Sequence, residues 1–442
     1  MMKIYFVGIK GVGMAGLAVI AQEQGFEVSG SDVADEFITD KILRDRKITI
    51  DIGFDKIISP RTDLVIYTAA HNGKDNPQVK QATDLKIKVM SYGKAIAYFI
   101  RSKKVIAVSG THGKTTTTAM IVKTLVDAGI DTGYLIGAAS VCGLKNSAHW
   151  GKSDYFVVEA DEYTADPQDV KSRAKFLYLN PYISIVLSTE YDHPDIYPNE
   201  KSYFNVYKKF VKRTDPKGLA IIRADEKFSQ RLIKSAKSKV KIRPIFFQKP
   251  FIGLRLKFFG QHNLFNATVA AYVCRFLGVN TKVIKKSLNN FQGLQRRLEL
   301  RFDGKIDPDR KVKIYDDYAH HPTEIQNALE ALRSQYNRNR IICVFQSHTV
   351  SRTQALLSDF GKSFSEANKV LVAPIFLSAR EKTSDFTGED LAREISKHHK
   401  DTIYLDNFSK IIDFLQKEVK DNDVVVIMGA GDIYKIISNL TI

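Results

Sequence analysis

The segment Gly110-Thr111-His112-Gly113-Lys114-Thr115-Thr116 places two glycines, a lysine and adjacent hydroxyls in a very short stretch. That combination suits phosphate chemistry. Glycines let the backbone curl so that its N–H groups face phosphate oxygens. A lysine supplies positive charge to the β- and γ-phosphates, and a following hydroxyl can hold Mg²⁺. Lys114 and Thr115 take those roles in this reading. The spacing is not the strict Walker pattern, which would need a glycine where Val108 stands. A second glycine-rich run holds Gly8, Gly11, Gly13 and Gly16, with Asp32 farther on. Gly11 to Gly16 fits G-x-G-x-x-G, which serves a dinucleotide with the acid on a ribose, or any pyrophosphate at a helix start. A tight turn that needs glycine for its own sake reads the same way.

Acids and histidines follow the phosphate loop. Glu159, Asp161 and Glu162 come directly after the apolar run Tyr155 to Val158, and Asp192-His193 after Ile183 to Leu187. A carboxylate at such a place can complete a Mg²⁺ shell. Histidine is a less usual partner for that hard cation. In Gly260-Gln261-His262-Asn263-Leu264-Phe265-Asn266, the Asn and His side chains suit a purine edge, though Asn263 reads equally as a helix cap. Farther on stand Arg296-Arg297, Asp316-Asp317-Tyr318-Ala319-His320-His321-Pro322, and Phe345-Gln346-Ser347-His348 with Arg352. Arg352 suits a carboxylate, which a guanidinium pairs bidentately. The His320-His321 pair beside acids invites a zinc reading, but no third ligand at metal-like spacing accompanies it.

These residues need a frame that delivers them to sheet edges. Lys3 to Val7 reads as a strand, Gly8 to Gly16 as a turn, Leu17 to Gln24 as a helix, and Glu27 to Ser29 as a second strand. Leu64 to Tyr67 and Ile87 to Met90 add strands. A new unit starts near Lys103, with strand Val105 to Val108 ahead of the phosphate loop and a helix over Thr115 to Ala128. Strands follow at Tyr155 to Val158, Ile183 to Leu187 and Leu219 to Ile222, then a helix over Asn263 to Leu277. The polar segment Asp303 to Lys311 reads as a junction or hairpin. Strands recur at Val312 to Tyr315, Ile341 to Phe345, Val370 to Ala373 and Val424 to Met428. Strands alternating with helices imply parallel sheets. The expected fold is α/β, with three α/β domains in series over residues 1–102, 103–301 and 302–442. The first and last are Rossmann-like, and the central one is of P-loop type. In such sheets ligands bind beyond the carboxyl ends of the strands, where the clusters above fall.

The chain has 442 residues, 44% hydrophobic and 26% charged, with a formal net charge of +17. Such a basic balance suits nucleic acid, or small anionic substrates drawn by a positive field. Basic residues are spread along the chain, with no long basic arm and no basic–aromatic RNA signature, so no nucleic-acid partner is expected. Cys142, Cys274 and Cys343 lie far apart without metal or redox spacing and read as free buried thiols in a reducing compartment. No apolar run approaches the roughly 20 residues of a membrane helix, so no membrane insertion is expected. The N-terminus enters a strand-like run without a signal-peptide pattern, and a cytoplasmic protein is expected.

Taken in order along nearly the whole chain, these motifs resemble those of the Mur ligases. The short loop Gly110-x-x-Gly113-Lys114-Thr115-Thr116 is similar to that family's phosphate loop. Val158-Glu159-Ala160-Asp161-Glu162 and Asp192-His193-Pro194-Asp195 resemble its metal-site segments, and His262-Asn263-x-x-Asn266 its adenine-contacting segment. Gly293-x-x-x-Arg297-x-Glu299 resembles its arginine segment. The resemblance implies an ATP-dependent carboxylate–amine ligase that works through an acyl phosphate, with ATP and Mg²⁺ as cofactors. It places Gly110, Thr111, His112, Gly113, Lys114, Thr115, Thr116, His262, Asn263, Asn266, Arg297 and Asp317 on ATP. Thr115 would hold one metal, and Glu159 with His193 another. The run Gly8-Ile9-Lys10-Gly11-Val12-Gly13-Met14-Ala15-Gly16 resembles the family's UDP-sugar loop, implying that Gly8, Gly11, Val12, Gly13, Met14 and Asp32 bind the nucleotide sugar.

Asp317 to Glu324 and Phe345-Gln346-x-His348-x-x-Ser351-Arg352-Thr353 resemble the amino-acid domain of the L-alanine-adding member. UDP-N-acetylmuramate and L-alanine are the implied substrates. His348 and Arg352 would lie near the alanine, and His320 or His348 would orient or deprotonate its amine. The chain would act as a monomer or homodimer. Some segments depart from this pattern. Lys10 stands where a glycine is usual. Glu162-Tyr163 and Tyr191 to Ile196 are closer to a sister ligase that recycles a whole tripeptide onto the same nucleotide sugar. The lysine carbamylated in some members has no good counterpart, Lys208 being a poor one.

Overall fold

The structure is a computed structural model that describes every residue except 139, 167–172, 194–195, 237–239, 258, 378–384 and 441–442. Its described residues form three sheets in series along the chain. The first holds β1 (Lys3–Val7), β2 (Glu27–Asp32), β3 (Thr49–Ile52), β4 (Leu64–Tyr67) and β5 (Lys88–Ser91) in the order 3-2-1-4-5, all parallel. The second holds β6 (Lys104–Ser109), β7 (Gly133–Leu135), β8 (Ala148–His149), β9 (Tyr155–Glu159), β10 (Pro181–Val186), β11 (Leu219–Arg223) and β12 (Ile242–Ile245). Their order is 12-11-10-6-9-7-8, and only the edge pair β7–β8 is antiparallel. The third holds β13 (Glu299–Asp307), β14 (Arg310–Asp317), β15 (Ile341–Phe345), β16 (Lys369–Val372), β17 (Thr402–Tyr404) and β18 (Val424–Met428) in the order 13-14-18-15-16-17. There β13 and β14 form an antiparallel hairpin at one edge, and the other pairings are parallel. The hairpin expected around Asp303 to Lys311 is therefore present.

Central strands such as β6 and β18 are apolar and buried throughout or nearly so, as strands covered on both faces by helices must be. The first two sheets lie in one compact unit, residues 1–257 with 263–291, and the third in a second, residues 258–262 with 292–442. In the first unit one apolar cluster runs through both sheets, from Ile4 and Phe6 to Leu135, Phe156 and Phe210. In the second unit, separate clusters cover the two faces of the sheet.

The first helix corrects the sequence reading. It spans Val12–Glu23, so the turn ends at Gly11, not at Gly16, and Gly13 and Gly16 are helical. Their bare backbones serve packing. A Cβ on Gly13 would come within 2.8 Å of the Tyr92 hydroxyl, and one on Gly16 within 2.2 Å of Leu135. The helix thus lies close against the edge of the second sheet, and a glycine needed for close approach looks in sequence like a glycine needed for a turn. Cys274 and Cys343 are buried thiols, as expected, whereas Cys142 is exposed, against the expectation of burial. Among the described residues no helix is long and apolar enough to cross a membrane.

Candidate active site

The phosphate loop leaves the end of β6 and enters the helix Lys114–Asp127. Gly110 and Gly113 have φ of +133° and +80°, where a side chain is strained. Space enforces the same choice. A Cβ on Gly110 would meet the Ser188 backbone nitrogen at 2.8 Å, and one on Gly113 the Asn266 Oδ1 at 2.6 Å. Asn266 thus lies directly against the loop. Thr111 Oγ1 donates to the Glu190 carbonyl at 2.7 Å and His112 N to Ser188 Oγ at 2.9 Å, which fixes the loop from the side. His112 Nε2 also lies 3.2 Å from Glu190.

Lys114 Nζ donates to the Gly110 carbonyl at 2.7 Å and lies 3.3 Å from both oxygens of the fully buried Glu162. Burial alone would disfavour its charge. Glu162, Asp161, Glu159 and Asp192 outweigh that and hold its pKa above the ordinary lysine value. Thr115 Oγ1 donates to Glu159 Oε2 at 3.1 Å, and the other oxygen of Glu159 accepts from Gly137 N at 2.6 Å. Thr115 and Glu159 therefore offer adjacent oxygen donors of the kind Mg²⁺ takes. The His193 ring shares a cluster with Asp161 and Glu162, with ligand atoms all within 4.8 Å of one another. His193 has φ of +59°, a rare conformation outside glycine, and its N–H donates to Asp192 Oδ1 at 2.7 Å. Strain of this kind is held at functional positions more often than elsewhere. The adjoining Pro194 and Asp195 lie outside the described residues.

A cavity of about 220 Å³ opens beside these groups. Gly13 and Tyr92 line it from the first sheet's helices, and Lys114, Glu159, Asp161 and Lys175 from the second sheet. Tyr92 and Lys175 had no signal in the sequence; only the folded chain brings them here. Burial, with Glu159 and Asp161 nearby, pushes the Tyr92 hydroxyl well above its ordinary value and keeps it a donor. Burial also pushes Asp161 up, but Lys175 and Lys114 reverse that and hold it well below the usual carboxylate range.

In the first loop, Gly8 has φ of +81° and its N–H donates to the Ser31 carbonyl at 2.8 Å. Gly11 caps the helix, which Val12 begins, and Met14 turns into the core. Asp32 is buried and ties the loop. It accepts from Lys10 N at 2.7 Å and Val33 N at 2.8 Å, with His71 Nε2 at 3.4 Å. Burial raises its pKa, and those partners more than reverse the effect. Both of its oxygens are thus engaged within the fold. Lys10 is buried too, and its Nζ donates to the carbonyls of Val33 and Asp35 at 3.0 and 2.9 Å. The charge at the position where glycine is usual is therefore held by the segment that follows β2.

In the second unit, the fully buried Asp316 takes Arg296 Nε at 3.4 Å. Asp317 accepts from Leu298 N and Ala319 N, both at 2.7 Å. Arg297 lies over the Tyr318 ring at 5.2 Å. Burial pushes Asp317 up to about 6 despite Arg297. His321 is the N-cap of helix Pro322–Gln335 and accepts from Thr323 N at 3.3 Å, a structural duty. His320 Nδ1 lies 3.0 Å from the Tyr318 carbonyl, so that nitrogen carries the proton and Nε2 the lone pair. Burial holds His320 down to about 3, with Glu324 opposing and Arg352 and His348 adding. The His320 and His348 rings are 6.1 Å apart, and His348 stacks on Phe376 at 5.4 Å. His320, His348 and Arg352 thus share one corner. His262 packs under Gly260 in this unit, where a Cβ would meet its ring at 2.7 Å.

Comparison with known proteins places this geometry. Three family profiles match in order: "Mur ligase family, catalytic domain" over residues 3–104, "Mur ligase middle domain" over 108–249, and "Mur ligase, glutamate ligase domain" over 296–431. A UDP-N-acetylmuramate–L-alanine ligase of Caldanaerobacter subterraneus subsp. tengcongensis is 33% identical, covering 98% of this chain and 96% of its own. One from Clostridium tetani is 35% identical with the same coverage. Among solved structures, a UDP-N-acetylmuramate–alanine ligase from Thermotoga maritima aligns over 100% of this chain and 98% of its own, with a TM-score of 0.78 and 24% identity. A murein peptide ligase from Psychrobacter arcticus aligns over the same shares with a TM-score of 0.70 and 24% identity. At that identity both show a shared fold.

Proposed function

The chain belongs to the Mur ligase family, and we propose that it joins L-alanine to the lactyl carboxylate of UDP-N-acetylmuramate at the expense of ATP. The observation that carries this reading is the cavity where the phosphate loop's Lys114 and the start of the first loop's helix at Gly13 face the same space. A nucleotide sugar held by the first loop would present its carboxylate where the γ-phosphate lies. Residues 1–102 are assigned to the nucleotide sugar, 103–301 to ATP and 302–442 to the amine.

In the first step a carboxylate oxygen forms a bond to the γ-phosphorus as the bond to the β–γ bridging oxygen breaks, leaving an acyl phosphate and ADP. Lys114 sits at the helix start and neutralises charge on the oxygens of the moving phosphoryl group. Thr115 and Glu159 would hold Mg²⁺, with Asp161, Glu162 and His193 as a second candidate set. When bound, the cation would neutralise phosphate charge and align the phosphates. In the second step the lone pair of the neutral amine attacks the acyl carbon, and the tetrahedral centre collapses to the amide as the bond to the phosphate oxygen breaks, the departing phosphate carrying off the proton that the nitrogen loses. Arg352 would pair with the carboxylate of alanine. His320 is neutral at physiological pH and weakly basic, so it orients the amine through its Nε2 lone pair rather than storing the proton. The cytoplasm, where ATP is supplied, is the assigned compartment.

The test is phosphate release from ATP with UDP-N-acetylmuramate, Mg²⁺ and, in turn, L-alanine, L-serine, glycine or the L-alanyl-γ-D-glutamyl-diaminopimelate tripeptide. Release dependent on L-alanine, with the matching amide product, is expected. Release with the tripeptide alone would make the chain the recycling ligase, and silence with every amine would sink the reading.

A further inference from the structure

Two lysines line the cavity, and they differ in what they have left to offer. Lys114 spends its donors inward, on the carbonyls of Gly110 and Thr111 and on buried Glu162. Lys175 has a single hydrogen-bond acceptor among the described residues, Asp161 Oδ2 at 2.6 Å. An ammonium group carries three donors, so two have no hydrogen-bond acceptor among the described residues, the Nζ lying 5.6 Å from the centre of the Tyr163 ring. Its position is rigidly set. Lys175 opens a single helical turn, Lys175–Tyr178, whose next residue, Phe176, is fully buried and stacks on Phe210 at 4.5 Å. Lys175 N donates to the Tyr163 carbonyl at 2.9 Å, tying that turn back to the segment after β9. The aliphatic stem runs along Gly93, where a Cβ would press on Lys175 Cγ at 3.1 Å. A glycine inside the helix Tyr92–Phe99 is otherwise unfavourable and here clears the path. Lys175 lines the cavity together with Tyr92 and Asp161, its ammonium resting on the Asp161 carboxylate, and its side chain keeps 23% exposure.

Resting on the function proposed above, we infer that Lys175 binds the lactyl carboxylate of the nucleotide sugar and holds it for phosphorylation. An unpaired carboxylate entering this cavity would face Glu159 and Asp161, and like charges at such range are costly. A cation with free donors on the same wall offsets that repulsion, and it does so before any phosphoryl transfer. Lys114 is then left to the phosphates. The role is one of substrate contact through charge and hydrogen bonds, with the Lys175 proton retained throughout.

UDP-N-acetylglucosamine has the same nucleotide and sugar but no lactyl carboxylate, so it isolates the contact. Calorimetry on the full chain, with both nucleotide sugars and without ATP, compares the native protein with Lys175→Gln and Lys175→Arg. The native chain is expected to favour UDP-N-acetylmuramate. Lys175→Gln should weaken its binding about tenfold or more, the scale of one lost charged hydrogen bond, and leave UDP-N-acetylglucosamine within about twofold. Lys175→Arg should recover a substantial part. Equal weakening of both ligands in Lys175→Gln would make the residue a structural partner of Asp161 and overturn the inference. So would unchanged binding of UDP-N-acetylmuramate. Should Lys175→Gln fail to fold, Lys175→Met, which keeps the stem along Gly93 and removes the charge, is judged by the same two outcomes. A native chain that binds neither nucleotide sugar would instead refute the proposed function, a result distinct from both.

Discussion

Lys114 is fixed by acceptors rather than left to find its ligand. The Gly110 carbonyl and the Glu162 carboxylate hold its ammonium over the loop, and the surrounding acids keep it charged. A group positioned before the substrate arrives loses no reorganisation energy during the reaction, which is why such charges weigh heavily in the transition state. Replacing Lys114 by Met keeps the stem and removes the charge. It should lower kcat for amide formation by about 10²–10³-fold, the scale seen when one preorganised electrostatic group is lost. Lys114→Arg should not rescue, since a planar guanidinium cannot fill the place of a compact ammonium among these acceptors. Activity of Lys114→Met within about tenfold of the native chain, in a protein that melts normally, would remove Lys114 from the chemistry. Glu159 and His193 show how far sequence reaches at this scale. Glu159 ends β9 and His193 lies in the segment beyond β10, each after the apolar run that precedes it in sequence, and it was the family resemblance that put the two on one metal. In the fold Glu159 answers Thr115 and Gly137, while His193 answers Asp161, Glu162 and Asp192. Which carboxylate faces which partner depends on loop geometry that no spacing rule carries.

At the level of elements, the strands of the sheet centres were legible because burial on both faces demands unbroken apolar runs. Short edge strands such as β3 and β17, with half-exposed or partly polar faces, left no such trace. Gly13, Gly16 and Gly93 were illegible for another reason. Each answers to a side chain distant in sequence, Tyr92, Leu135 or Lys175. The cavity is built from these contacts, so Tyr92 and Lys175 emerge only with the packing of the first helix against the second sheet. That packing ends in a clasp. Glu23, the last residue of the helix, accepts from Trp150 N at 2.8 Å, pairs with Arg46 at 2.6 Å, and lies 2.9 Å from His149 Nδ1. The other His149 nitrogen lies 2.8 Å from Asp131. Burial raises the pKa of Glu23, but Trp150, Arg46 and His149 together bring it below the ordinary value. A carboxylate with a depressed folded-state pKa stabilises the fold above its unfolded pKa, and that contribution is lost as pH falls through the folded value. Glu23→Gln should therefore cost about 1–3 kcal/mol near neutral pH, and the gap to the native chain should close as pH drops below about 4. Trp150 is the single tryptophan of the chain, so its fluorescence during urea unfolding reads the clasp directly. A gap that stays constant into acid would mean that the Glu23 charge contributes nothing there.

At the scale of the whole molecule, the net charge of +17 and the local charge at the phosphate loop have opposite signs. Around the loop, the ammonium groups of Lys114 and Lys175 face four carboxylates, Glu159, Asp161, Glu162 and Asp192. ATP brings further negative charge to that place. The spread of lysine and arginine over the surface raises the local concentration of anions, an effect that salt screens over about 10 Å at moderate ionic strength. It cannot cancel repulsion at contact distance, where a divalent cation on the acids would. ATP affinity should therefore depend on the metal far more than on salt. In a chelator, ATP binding measured by calorimetry should weaken by about 10²-fold or more, because each unpaired like-charge contact in a partly buried site costs on the order of a few kcal/mol. Restored Mg²⁺ should recover it. UDP-N-acetylmuramate, held by the first loop, should change by no more than about threefold under the same treatment, a small energy on the scale of any single charged contact. ATP that binds equally well with and without the chelator would show that the acids at the loop do not serve a cation, and the charge of Lys114 would then have to hold the phosphates unaided.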